Sequence, residues 1–283
     1  MIEFSNELIN ITTQNSRFEV STLGGQLVSW QVNGTDILFA NTEYRINDGK
    51  TALRCGSPIC FPFFGKGVLL SEDGSITEEI LPQHGKSRTS VWKRIAKNKD
   101  SVTLETIQPY PGKETGEDLK IQITYSLSDT KSSSSISIDI NIENIGDTDF
   151  LFQLALHSYW NCKNPSEFSA HGLGNEYLDN LKGLSKLFEN DFNSTYPESM
   201  DRIYLNPSRT ILISTPDYKL EISSEDFTNV VAWNPGIKHS LKDVKPNNPA
   251  FFCIENGVIT PAPSIKKGDS LCFGLEYRAT MKA

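Results

Sequence analysis

The chain has 283 residues, 37% of them hydrophobic and 22% charged, with a formal net charge of −8. That composition describes a globular chain long enough for a sizeable core and excludes a disordered one. The acidic balance, with no basic run, argues against a nucleic-acid partner, and no apolar run approaches the length of a membrane span, so no membrane partner is expected.

In chain order the hydrophobic pattern has a period of 2 almost throughout. Val28, Trp30 and Val32 alternate with Ser29 and Gln31, and Asn33-Gly34 then predicts a hairpin turn before Ile37-Leu38-Phe39. Leu119, Ile121, Ile123 and Tyr125 form one alternating set and Ile136, Ile138, Ile140 and Ile142 another, with a polar turn at residues 128–133. The run at residues 149–160 reads as one strand. Later strands are predicted at residues 209–214, 218–223, 229–233, 250–255 and 271–277, and a short helix at residues 183–190. Residues 72–79, 109–118 and 238–248 read as polar surface excursions. Many short strands divided by Gly, Pro, Asn and Asp predict an all-β antiparallel sandwich. No composition shift marks a boundary, so residues 1–283 are expected to form one domain.

Two titratable residues interrupt apolar strand patterns. By parity His157 shares a face with Leu151, Gln153, Ala155 and Tyr159, and Glu255 shares one with Phe251 and Cys253. An imidazole and a carboxylate brought together on two strands make an acid/base pair. Alternatively, His157 is a satisfied structural residue, and Glu255 marks the point where its strand reaches water. Residues 51–92 depart from strand grammar: Pro58 and Pro62 exclude a regular central strand, and the segment carries the donors Arg54, Gln83, His84 and Arg88. Two arginines near a histidine suit an oxyanion or sugar hydroxyls, although surface salt bridging by both arginines reads as well.

The five cysteines, at 55, 60, 162, 253 and 272, include no C-x-x-C pair. A reducing compartment with free thiols is expected, and no structural metal site. There is no G-x-G-x-x-G motif or P-loop, which disfavours a nucleotide cofactor. The N-terminal residues lack the pattern of a signal peptide, so a cytoplasmic location is expected.

The motifs in order resemble the aldose 1-epimerase (galactose mutarotase) superfamily, and most closely its hexose-6-phosphate branch. They are Arg54-Cys55-Gly56-Ser57-Pro58-Ile59-Cys60-Phe61-Pro62-Phe63-Phe64-Gly65, Leu81-Pro82-Gln83-His84-Gly85-Lys86-Ser87-Arg88, and Ala155-Leu156-His157-Ser158-Tyr159-Trp160. Asp201-Arg202-Ile203-Tyr204, Val230-Val231-Ala232-Trp233-Asn234-Pro235 and Cys253-Ile254-Glu255 follow. The resemblance implies a large antiparallel β-supersandwich, no metal or organic cofactor, and exchange of α and β anomers of a hexose. It implies Glu255 as catalytic base, His157 as catalytic acid, and His84, Asp201 and Gln83 as sugar contacts. Arg54 and Arg88 would hold a 6-phosphate. The substrate is expected to be a sugar or sugar phosphate, and the protein a monomer or weak dimer. Both charged forms, carboxylate and imidazolium, are expected to favour each other at neutral pH.

Three departures bear on the substrate. Cys55 stands where the family has Gly, which implies a negative or mildly strained φ there. Lys86 and Ser87 replace an aromatic and an Ala, so Lys86 either adds a cation to a phosphate site or points outward. The loop between Gly65 and His84 is long for the 6-phosphate branch. Two other readings are an epimerase of unphosphorylated aldoses and a non-catalytic sugar-binding protein of the same fold.

Overall fold

The computed structural model describes residues 7–41, 54–66, 69–70, 76–77, 83–110, 115–245 and 247–282. Most of the predicted excursion at residues 72–79 and of the long stretch after Gly65 lies outside these residues.

The described residues form strands linked by turns, with short 3-10 segments and no α-helix. An N-terminal sheet contains β1 (Leu8–Thr12), β2 (Ser16–Ser21), β3 (Leu27–Val32) and β4 (Thr35–Asp36). Then come β5 (Ile59–Cys60), β6 (Leu69–Leu70), β7 (Ile76–Thr77), β8 (Lys93–Lys97), β9 (Ser101–Gln108), β10 (Leu119–Asp129) and β11 (Ser133–Asn144). The middle of the chain gives β12 (Phe150–Leu151), β13 (Leu154–Leu156), β14 (Tyr159–Asn161), β15 (Ser169–His171), β16 (Glu176–Asp179), β17 (Ser185–Phe188) and β18 (Met200–Leu205). The last strands are β19 (Thr210–Ser214), β20 (Tyr218–Ser223), β21 (Asn229–Asn234), β22 (Phe251–Val258), β23 (Ser264–Ile265) and β24 (Ser270–Met281).

Two large antiparallel sheets organise the molecule. One runs β15-β19-β20-β24-β11-β10-β9-β8, and the other β17-β16-β18-β21-β22-β13-β5, with β14 also paired to β22. Their facing side chains share one core. Ile121, Ile123, Ile138, Ile140 and Tyr277 come from the first sheet, and Leu154, Leu156, Tyr204, Val230, Phe252 and Ile254 from the second. Trp160 meets Tyr277 edge to face across the sheets, with ring centroids 4.9 Å apart. The alternation read from the sequence is the inward set of the first sheet, as in β10, where every second residue from Leu119 to Leu127 is buried.

The second sheet is covered on both faces over much of its middle. On β22, Phe252 and Ile254 enter the shared core, while Phe251 and Cys253 pack with Tyr159 and Val244 on the opposite side. Every residue of β22 is buried. A strand covered on both sides reads as a continuous apolar run, as this one does. It continues past Glu255 to Val258, so Glu255 does not mark the strand reaching water.

Two predicted elements change. Residues 149–160 are three short strands. Each break spans two residues (Phe152-Gln153 and His157-Ser158), an even number, so the alternation of faces is preserved across both. Residues 183–190 form no helix: Gly183 (φ 64°) and Leu184 (φ 59°) turn the chain, and β17 pairs antiparallel with β16. The hydrogen bonds of the sheet edge outweigh a weak local helical pattern there.

The proline-rich segment pairs with the sheet edge in spite of its prolines. Pro58 and Pro62 contribute carbonyls, which accept from His157 N and Gln153 N at 2.9 and 2.8 Å, while β5 between them pairs with β13. A proline lacks the N–H donor but keeps the acceptor. Cys55 is not among the positive-φ residues, so its side chain is unstrained; Gly56 has φ 59°. A Cβ on Gly56 would meet the backbone oxygen of Leu27 at 2.1 Å. Gly56→Ala is expected to cost about 3 kcal/mol through clash and backbone strain and to lower Tm by roughly 6–12 °C, measured by thermal denaturation followed by circular dichroism.

Candidate active site

Rows of side chains cross the outer face of the second sheet. In one row Ile203 of β18 stands opposite Val231 of β21, and Val231 opposite Glu255 of β22. In the next, Asp201 faces Trp233, Trp233 faces Cys253, and Cys253 faces Tyr159 of β14. His157 follows Leu156, whose partner is Asn256, and this sets it beside Glu255. Its backbone is pinned on one side by the Pro58 carbonyl. On the other, Ser158 joins a buried chain of hydroxyls, 2.9 Å from Ser57 Oγ and 2.8 Å from Tyr277 Oη.

The seven residues singled out in the sequence, Arg54, Gln83, His84, Arg88, His157, Asp201 and Glu255, all line one cavity of about 490 Å³. Lys66 and Lys86 are exposed and do not line it, so Lys86 points outward, whereas Ser87 beside it is buried against Gln108. Phe64, Tyr159, Asn180 and Trp233 also contribute walls. Tyr159 and Trp233 were legible as same-face neighbours of His157 and Val231. Asn180 carries no such signal: it follows Asp179 in a 3-10 turn and donates to Asp201 Oδ2 at 2.7 Å.

Rings fix the imidazoles. His157 stacks on Tyr159 at 4.7 Å with the planes 2° apart, and meets Trp233 at 5.8 Å and 78°. His84 stands edge-on to His157 at 5.5 Å and to Phe64 at 5.0 Å. Gly65 and His84 bind each other twice, His84 N donating to Gly65 O at 2.8 Å and Gly65 N to His84 Nδ1 at 3.2 Å. An accepting Nδ1 puts the proton of the neutral ring on Nε2. Burial, with Arg88 and Arg54 adding to it, pushes the His84 pKa down to about 3.

His157 Nδ1 lies 3.2 Å from Glu255 Oε1. The contact is off the line of a hydrogen bond. His157 Nδ1 and Glu255 Oε2 are both buried with no hydrogen-bond partner among the described residues. Burial lowers the His157 pKa well below its ordinary value, helped by the charges around His84, Arg88 and Arg54. Burial likewise raises Glu255 well above the carboxylate range, and Asp201 adds to it. The mutual stabilisation of two charged forms expected from sequence is therefore overturned, because desolvation of both buried groups exceeds their attraction. The neutral pair and the ion pair nevertheless hold the same single proton. They differ only by its transfer across the 3.2 Å gap.

The arginines differ from each other. Arg54 Nη1 pairs with Asp243 Oδ1 at 2.7 Å, and its backbone N donates to Asp243 Oδ2 at 3.2 Å. Asp243 belongs to the segment read as a surface excursion at residues 238–248, where Val244 is also buried; nothing in the sequence signals its partner 189 residues away. Arg88 Nη2 donates to Gln83 O at 2.6 Å, and its buried Nε has no partner among the described residues. Asp201 is raised above its ordinary value by burial, against the hydrogen bond from Asn180. One group of metal-ligating atoms also stands out: donors of His157, Cys253 and Glu255 lie within 4.8 Å of one another.

The family model described as aldose 1-epimerase matches residues 7–281. The chain belongs to the aldose 1-epimerase family. It is an isomerase acting on a small sugar. A protein of Salmonella typhimurium with the provisional name glucose-6-phosphate 1-epimerase is 27% identical over 268 residues, 91% of this chain and 84% of its own length. One from Cenchrus ciliaris with the same provisional name is 27% identical over 278 residues, 90% of this chain and 79% of its own. The fold matches the Slr1438 protein of Synechocystis with a TM-score of 0.81 at 19% identity, covering 98% and 97% of the two chains. It also matches the aldose epimerase homologue of C. elegans with a TM-score of 0.77 at 16% identity, covering 99% and 100%. No helix among the described residues is long and apolar enough to cross a membrane.

The protonation states have a direct readout. Because their folded pKa values are depressed, His84 and His157 are neutral above about pH 6.5 and take up protons only as the pH falls well below it. Histidine NMR signals assigned by His84→Asn and His157→Asn are expected to keep neutral-ring shifts from pH 8 to pH 5. The stability that depends on their neutral burial is expected to fall progressively below pH 6.5. Because the raised Glu255 and Asp201 act with the opposite sign, it is read as the difference in urea denaturation between the parent and each His→Asn variant across the same range.

Proposed function

We propose that this protein interconverts the α and β anomers of a hexose 6-phosphate, with Glu255 as base and His157 as acid. The observation that carries the reading is the facing pair in a closed-backed cavity: Nδ1 and Oε1 are 3.2 Å apart, both groups are buried, and neither is saturated with hydrogen bonds. Ring opening needs two proton transfers. The Glu255 carboxylate takes the proton of the anomeric hydroxyl as His157 gives one to the ring oxygen and the C1–O5 bond breaks. Rotation about C1–C2 presents the other face of the aldehyde, and closure returns each proton to its donor. One proton on the pair is enough for the whole cycle, and the resting neutral pair already holds it. Sugar hydroxyls entering the pocket supply hydrogen bonds to Glu255, which favours the ionised carboxylate. Positioned acid/base catalysis of this type contributes about 10²–10⁴-fold.

His84 and Asp201 bound the same cavity and are proposed to hold sugar hydroxyls, with Gln83 at the rim. Arg88 and Arg54 are proposed to hold the phosphate. Support comes from the buried Nε of Arg88, which has no partner among the described residues and is a donor that an anion would satisfy, and from the provisional names of the Salmonella and Cenchrus relatives. One observation favours a second reading, an unphosphorylated aldose: Asp243 already engages Arg54 and offsets part of its charge.

Glu255→Gln is expected to reduce the enzyme-dependent rate of anomerisation by at least about 10²-fold without altering the circular dichroism spectrum, because an amide cannot take the anomeric proton. A rate equal to that of the parent, after subtraction of the spontaneous reaction, would remove Glu255 from the role. Charged hydrogen bonds to phosphate are worth about 1.5–3 kcal/mol each. Arg88→Ala should therefore raise KM for glucose 6-phosphate at least tenfold (about 1.4 kcal/mol) and leave turnover of free glucose nearly unchanged. Equal effects on both sugars would favour the unphosphorylated substrate.

A further inference from the structure

We propose that Cys253, His157 and Glu255 form a three-ligand zinc site, and that zinc bound there blocks epimerisation. Cys253 precedes Glu255 by two residues on β22, so both side chains leave the same face of the sheet. Across the sheet Cys253 stands opposite Tyr159, two residues after His157. The thiol, imidazole and carboxylate ligand atoms all lie within 4.8 Å of one another. The three residues are 0%, 8% and 1% exposed. Two of them present buried atoms with no hydrogen-bond partner among the described residues, His157 Nδ1 and Glu255 Oε2. The thiol has no part in the proton transfers described above.

Zinc holds such donors at about 2.0–2.3 Å in a tetrahedron, which sets neighbouring ligand atoms roughly 3.3–3.8 Å apart. Contraction of at most about 1–1.5 Å from the observed limit of 4.8 Å achieves this. One sulfur, one imidazole nitrogen and one carboxylate oxygen suit zinc and discriminate against magnesium, which prefers oxygen ligands. The fourth position opens on the cavity and takes a water. On binding, the thiol proton and the proton held by the Glu255–His157 pair both leave to solvent. The sequence excludes a zinc site by the spacing of its cysteines; this one is assembled from β22 and the break between β13 and β14, which spacing does not report. Occupancy of the site follows from the ligand atoms alone. Inhibition rests on the proposed roles of Glu255 and His157, since zinc would occupy the lone pairs that accept protons.

Cobalt(II), a spectroscopic stand-in for zinc, is titrated into the whole protein and into Cys253→Ala, with Cys253→Ser as a second variant in case the alanine form folds poorly. In parallel, anomerisation is followed by polarimetry at buffered free zinc, then after addition of EDTA. The parent protein is expected to show a thiolate-to-cobalt absorption band at one equivalent that is absent from both variants, a difference that separates Cys253 from the exposed Cys272. Zinc is expected to abolish the parent's activity and EDTA to restore it. The variants should need at least about tenfold more zinc for half inhibition, each relative to its own zinc-free rate. Magnesium at the same concentrations should have no effect. Absence of the Cys253-dependent band overturns the site. A band without inhibition overturns the block and counts against the roles given to Glu255 and His157. Inhibition equal in parent and variants, or equal with magnesium, overturns the assignment of Cys253 as a ligand.

Discussion

Burial of a carboxylic acid in the middle of β22 is the constraint on which the rest of the structure depends. Glu255 is 1% exposed on a strand that is buried along its whole length. An isolated charge in such a place costs several kcal/mol, and the group responds by shifting its pKa or finding a partner. Both responses are present. Its pKa is raised, and the nearest ring nitrogen, itself held neutral by burial, is 3.2 Å away. The sheet makes this tolerable because neighbouring strands cover it with Val231 on one side and His157 on the other. The two groups together hold one proton, which is what the proposed anomerisation cycle consumes and returns.

The rigidity around this pair comes from features that are poor strand formers in isolation. Pro58 and Pro62 would break a central strand, yet at the sheet edge their carbonyls serve as acceptors for the backbone on either side of β13. Gly56 and Gly85 allow backbone to approach backbone more closely than a Cβ would permit, with Leu27 O and Phe61 O in the way. These approaches seat Arg54 and His84 at the cavity wall. The hydroxyl chain of Ser57, Ser158 and Tyr277 ties the same region to the opposite sheet. His157 is therefore held by backbone and core contacts from three directions, and its ring is aligned by stacking on Tyr159.

The wall of the cavity divides its charges. The apolar and aromatic side, Tyr159 and Trp233, lies on the sheet, whereas Arg54 and Arg88 come from the segment that flanks β5. Asp243 joins this second side from a distant loop and pairs with Arg54. The geometry thus leaves one arginine partly neutralised and another with a buried donor that has no partner among the described residues.

The sequence by itself determined the architecture and most of the cavity wall. Period-2 alternation in β10 and β11, the Asn33-Gly34 turn with both residues at positive φ, and the parity of His157 and Glu255 are local properties, set by backbone geometry and one-sided burial. Parity survived the breaking of residues 149–160 because each gap spans two residues. Tertiary structure alone decided the rest. Residues 183–190 became an edge strand because β16 offered them hydrogen bonds. Asp243 met Arg54, Asn180 met Asp201, and Cys253 came beside His157 through pairings of strands and loops far apart in the chain. The protonation of Glu255 and His157 also escaped the sequence, since desolvation depends on what covers a group from both sides of a sheet. Residue types announce which charges are possible; only the packed structure sets which of them water can stabilise.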